Sequence, residues 1–150
     1  MRSVVALVLC FAAVLAAATF GSTFMPGAWY AALAKPAWTP PNWAFAPVWS
    51  VLYLFIALAG WLVWRAEGFG TALKIWIFQL VLNAAWSWVM FGQHAIGAAL
   101  GVIVALWFAI GAFITAAHRV SRNAALLFVP YWMWVSLATA LNFQVWRLNP

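Results

Sequence analysis

An all-α integral membrane protein is the fold class this sequence predicts: a bundle of five transmembrane helices, with a long loop between helices 1 and 2 acting as a lid. Three observations predict it. Hydrophobic residues make up 69% of the chain and charged residues 5%, with a mean hydropathy of +1.03, which leaves too little polar surface to cover a soluble globule. Five apolar runs each reach the roughly 20 residues that a helix needs to cross the hydrocarbon of a bilayer. Among the connections between them, one alone is long.

The first run, residues 3–24, follows Arg2. A basic start, an apolar centre and the small residues around Ala16 to Ala18 also fit a secretory signal, but the chain starts at Met1, and a retained helix is the expectation. Residues 44–65, 71–91, 96–117 and 123–146 supply the other four helices. The loops 66–70, 92–95 and 118–122 are too short for anything but antiparallel neighbours, so residues 1–150 are expected to form one up-and-down five-helix domain. The segment 25–43 is different. Pro26, Gly27, Pro36, Pro40 and Pro41 interrupt regular helix there, with room for a short turn of helix at 28–34. Trp29, Trp38, Trp43 and Trp49 crowd into and beside it, giving a stiff backbone with flat side chains, suited to closing over a flat ligand.

Seven Lys and Arg face one acidic residue, Glu67, for a net charge of +6. The basic residues fall singly between apolar runs, with no stripe to follow phosphates, so no nucleic-acid partner is expected. They read as topology signals. Threaded through five crossings, Arg2, Arg65, Lys74, Arg119 and Arg122 share the side of the N-terminus, and Lys35 and Arg147 share the side of the long loop. The positive-inside rule then places the N-terminus in the cytoplasm and the loop outward, for a cytoplasmic-type membrane.

Polar side chains in lipid turn toward protein or water, so their spacing marks inward faces. Gln79, Asn83 and Ser87 recur every four residues on the third helix, with Trp86 beside them. Trp49, Tyr53, Ala57, Gly60 and Trp64 share a stripe on the second, and Tyr131, Trp134, Ala138, Asn142 and Trp146 share one on the fifth. These three stripes either face one cavity or act as interhelical glue and interfacial belts. Trp29, Trp43, Trp64, Trp88 and Trp146, near predicted helix ends, suit belts or packing, whereas Trp49, Trp86 and Trp134 lie within helices beside polar partners. On the fourth helix Gly97, Gly101, Ala105, Ala109, Ala112 and Ala116 form a small-residue ridge. Gly97, Gly101 and Ala105 are candidates for a homodimer seam, and packing within the bundle fits the same pattern equally well.

No catalytic constellation is present. One carboxylate excludes a carboxylate pair, and Glu67, in a loop beside Arg65, reads as a solvated charge. Cys10, alone in an apolar run, excludes both a disulfide and a Cys/His metal site. His94 and His118 lie at opposite ends of the fourth helix, roughly 36 Å apart at helical rise, so they cannot share a metal, although either could bind a haem iron singly.

The ordered segments WYAALAKPAWTPPNWAFAPVWSVLY (29–53), QLVLNAAW (79–86), FG (91–92), HRVS (118–121) and VPYWMWVSLATALNFQVWRLN (129–149) carry a resemblance over nearly the whole chain. The sequence resembles the family of tryptophan-rich sensory proteins and translocator proteins, also known as peripheral-type benzodiazepine receptors. That resemblance implies a binding protein for protoporphyrin IX or haem, and for isoquinoline- and benzodiazepine-type drugs, in a pocket under the first loop. It needs no obligatory cofactor. The matching positions imply ligand contacts from Trp38, Trp49, Tyr53, Asn83, Trp86, Trp134, Ala138 and Leu141, with Lys35 either meeting a ring propionate or standing as a loop charge. It also associates Trp49 and Trp134 with light-dependent porphyrin degradation, and leaves sensor, transporter and degrading enzyme as alternatives. Two positions depart from the animal pattern. Phe143 and Gln144 stand where the sterol motif has tyrosine, which removes the ground for a cholesterol partner, and Ala98 stands where animal members have a pocket tryptophan.

Overall fold

The computed structural model describes residues 2–150. Met1 and the Arg2 side chain, with the expectations placed on them, lie outside the described residues. The elements are α1 (Arg2–Ser22), α2 (Ala28–Ala32), α3 (Asn42–Glu67), α4 (Thr71–Ser87), a π-helical turn (Trp88–Gly92), α5 (Ile96–His118) and α6 (Arg122–Leu148). Among the described residues there is no strand, and five of these helical segments are long and apolar enough to cross a membrane. The chain is an integral, multi-pass, all-α membrane protein.

Helix ends follow local chemistry. α3 starts two residues before the predicted 44, directly after Pro41, whose extended φ of −63° and ψ of 146° suit the residue ahead of a helix. It stops at Gly68, where φ is +67°, a backbone conformation that glycine adopts without a Cβ penalty. α1 ends short of the predicted 24 because the hydroxyls of Ser22 and Thr23 bond back to the carbonyls of Thr19 and Phe20 at 2.8 and 2.7 Å. The third span is not α-helical to residue 91: the Gln93 amide donates to the Trp88 carbonyl, five residues back, at 2.9 Å. That wider turn buries Met90 to 2% exposure and leaves Trp88 at 44%.

The order of neighbours around the bundle is not the order along the chain. α1 packs against both α3 and α4, α6 against α3 and α5, and α5 against α4, so the ring runs α1–α3–α6–α5–α4. Although a tight turn joins α3 to α4, the two meet narrowly, because the Ala6, Cys10 and Val14 face of α1 fills the seam beside them. Where they do meet, Trp76 lies on Gly60. A Cβ there would stand 2.5 Å from the indole, and the indole N–H donates to the Ile56 carbonyl at 2.8 Å. The main core centres on Ile56, Val63, Ile110, Phe113, Phe128 and Tyr131. A smaller cluster of Met90, Ala99, Leu141 and Val145 receives Trp29, Tyr30 and Leu33 from the long loop, which thereby covers that end of the bundle.

Two expectations change in packing detail. Glu67 is half-buried, and its Oε1 accepts the Ala72 amide at 2.7 Å. It is a cap for α4, not a solvated charge, because Gly70 ahead of that helix has no side chain to satisfy the first amides. The ridge on α5 also divides. Gly101 and Ala105 are exposed, Gly97 lies under Trp146, and Ala109 is buried. A step of four residues advances roughly 40° around a helix, so the row winds from the outer face into the core.

Candidate functional site

On α3, Trp49 and Tyr53 are one turn apart and stack with ring centres 5.3 Å apart. Trp49 also meets Tyr131 of α6 edge-on at 6.2 Å. From there a polar chain crosses the bundle. The Tyr53 hydroxyl reaches Asn83 Oδ1 at 3.4 Å, Asn83 Nδ2 donates to the Tyr131 hydroxyl at 2.9 Å, and that hydroxyl donates to Gln79 Oε1 at 3.1 Å. Gln79, Asn83 and Tyr131 are buried at 0%, 4% and 0% exposure, so their hydroxyl and amide oxygens pair away from solvent, with Nε2 of Gln79 left over at the end of the chain. The amide stripe of the third helix thus meets the stripes of the second and fifth.

A second polar link lies nearer the loop. Trp86 donates its indole N–H to Asn142 Oδ1 at 3.0 Å, and Asn142 Nδ2 donates to the Ile96 carbonyl at 3.1 Å, tying α4, α5 and α6 together. Trp86 meets Phe91 edge-on at 5.6 Å, and Phe91 meets Tyr30 of α2 at 5.4 Å. Burial beneath the loop raises the Tyr30 phenol above its ordinary pKa.

The loop itself is fastened at several points. Trp29 stacks on His94 with ring centres 4.1 Å apart and 12° between planes, and His94 holds a φ of +54°, in the left-handed region. Asn149, one residue past α6, grips the peptide of Ala34: its Oδ1 accepts the Ala34 amide and its Nδ2 donates to the Ala34 carbonyl, both at 3.0 Å. Lys35 donates to the carbonyls of Tyr30, Ala31 and Leu33 at 2.7, 3.1 and 2.7 Å. Its charge closes the end of α2 instead of standing free at the mouth.

Of the residues named from sequence, the structure brings Trp49, Tyr53 and Asn83 into direct contact and joins Trp86 to Asn142. Leu141 is buried in the smaller cluster, and Ala138 packs on the main core. Trp38 stands apart, 47% exposed in the loop. Trp134 meets Phe45 edge-on at 5.6 Å, and its indole nitrogen is buried with no hydrogen-bond partner, as is Nε2 of Gln79.

Sequence reasoning missed a groove of about 570 Å³ along the outside of the α3–α6 seam. It is lined by Trp134 together with Pro47, Val48, Val51, Leu52, Phe55, Pro130, Met133 and Leu137. The two prolines were its available signal, since each places a compact ring, and no long side chain, inside a spanning helix. Sequence also passed over the Asn149 clamp and the Trp29–His94 stack, because neither pair shares a helical face.

Five spanning helices around buried amide, phenol and indole groups define a multi-pass helical membrane protein with an aromatic interior. The chain belongs to the TspO/MBR family, whose model matches residues 5–147. It is 41% identical over 145 residues to the tryptophan-rich sensory protein of Cereibacter sphaeroides, covering 96% of this chain and 92% of that one. Similarity to protein CrtK of Rhodobacter capsulatus is 40% identity over 144 residues, 93% and 90% of the two chains. With the human translocator protein it is 39% over 137 residues, 86% and 81%.

Proposed function

We propose that this protein is a membrane sensor or regulator that binds a flat tetrapyrrole, protoporphyrin IX or haem, beneath the first loop. The observation that carries the reading is the Trp134 indole N–H, buried without an acceptor one helical turn from Tyr131. A buried donor left unpaired costs about 1–3 kcal/mol, which an occupant with a carboxylate or ring-nitrogen acceptor would recover. The Trp49–Tyr53 stack offers the planar faces that such a ring prefers. Trp49 and Trp134 give the ring its indole faces. Asn83 meets the polar rim, and Trp38, Trp86, Ala138 and Leu141 complete the lining on the loop side. Flat isoquinoline- and benzodiazepine-type molecules compete for the same space. Protoporphyrin IX titrated against tryptophan fluorescence tests this: Trp49→Phe with Trp134→Phe weakens binding at least tenfold, and unchanged affinity removes the assignment.

Transport is a second reading, favoured by the name of the translocator relatives and by the lateral groove. Saturable porphyrin flux into proteoliposomes, above that of empty vesicles, would select it. The charge distribution supports a cytoplasmic N-terminus with the loop outward, which labelling of single cysteines placed in the loop and in the α5–α6 turn decides.

A further inference from the structure

We infer that the α3–α6 seam holds one anionic phospholipid, its phosphate on Arg122 and Arg119 and one acyl chain in the groove. The groove opens toward the bilayer: Val51, Met133 and Leu137 are 49%, 67% and 37% exposed, and Pro47 and Pro130 beside them are exposed as well. Its volume of about 570 Å³ falls within the roughly 300–1,000 Å³ of small-molecule sites. At hydrocarbon depth an apolar chain is the occupant that such a lining accepts.

The helix register connects this groove to a charge. Arg122 precedes Met133 by eleven positions, which places the two roughly 20° apart around α6 and about 16 Å apart along it. Leu126 and Val129, 55% and 37% exposed, continue the same outward stripe between them. A single face of α6 therefore begins in a guanidinium and runs into the groove, which is the layout of a phospholipid: a charged head and, one interface depth further in, a chain.

Charge complementarity selects an anionic lipid. Arg119 and Arg122 flank the turn between α5 and α6 and are exposed. The sole carboxylate, that of Glu67, is engaged by the Ala72 amide on α4. Arg65 lies over Trp61 and Lys74 over Phe69, and at the opposite end Lys35 is satisfied by three carbonyls. Among the described residues, Arg119 and Arg122 have neither an aromatic nor a hydrogen-bonded partner in the protein. Guanidinium forks match phosphate oxygens in pairs, and a headgroup lacking a choline ammonium leaves that pairing uncontested.

The test uses the full chain in nanodiscs of phosphatidylcholine with a minor share of phosphatidylglycerol. Native mass spectrometry should find one phosphatidylglycerol retained by the wild type. Arg119→Gln with Arg122→Gln should cut that retention about tenfold, and Lys74→Gln should leave it intact. In the wild type, phosphatidylglycerol brominated at mid-chain should quench a fluorescence component that is missing in Trp134→Phe. Equal retention of phosphatidylcholine, unchanged retention in the double variant, release by millimolar inorganic phosphate, or quenching indifferent to Trp134→Phe would each overturn the inference.

Discussion

Trp76 of α4 and Gly60 of α3 form a lock: the indole fills the space where a Cβ would be, and its N–H holds the Ile56 carbonyl at 2.8 Å. Trp76 is 3% exposed and has no free side to move toward. Gly60→Ala should therefore destabilise the bundle by about 1–3 kcal/mol through overpacking, seen as a lowered thermal midpoint in micelles. A Cβ at Gly101 meets nothing within 4 Å, so Gly101→Ala in the same assay should leave the midpoint unchanged or raise it.

The open face of α5 around Gly101 and Ala105 gives a separate outcome if it seats a second copy. Gly101→Leu should then shift the purified protein from dimer to monomer in cross-linking while leaving the helical circular dichroism intact. An unchanged cross-linking pattern would assign that face to lipid.

Trp86 and Trp134 should respond oppositely to loss of the indole nitrogen. Trp86→Phe strands Asn142 Oδ1, a buried acceptor, and should cost about 1–3 kcal/mol in denaturant unfolding of the ligand-free protein. Trp134→Phe removes a donor that has no partner, so the cost should stay within about 1 kcal/mol, the loss of ring volume partly offset by relief of the unpaired N–H.

Glu67 and Gly70 should behave as one device. Glu67→Ala uncaps α4 at a cost of about 1 kcal/mol. Gly70→Ala drives a methyl group into the Glu67 carboxylate, and the flexible side chain yields by leaving the Ala72 amide. A double-mutant cycle should thus be strongly non-additive, the double variant being little worse than either single one.

The membrane class and the five spans were legible because hydrocarbon imposes a length and a polarity that composition alone reports. The inward stripes were legible as well: Gln79 with Asn83, Trp49 with Tyr53 and Tyr131 with Trp134 are each at helical spacing on their own helix, and Gln79, Asn83, Tyr53 and Tyr131 meet. Other features lay beyond periodicity. The ring order depends on how α1 fits beside Gly60 and Trp76, a matter of shape. Reading Glu67 as solvated followed from its position in a loop, where sequence does not reveal that the neighbouring Gly70 leaves an amide in need of an acceptor. The groove is defined by what Pro47 and Pro130 fail to fill.

The grip of Asn149 on Ala34 joins residues 115 positions apart. At roughly 5–20 residues per second of synthesis, the partner for that loop peptide emerges several seconds to some twenty seconds after it. During that interval the loop lacks this clamp, although the partner of its Trp29–His94 stack emerges earlier. The Asn149 clamp is consequently a late one among the loop's fastenings, and it reports that α6 has been inserted in register.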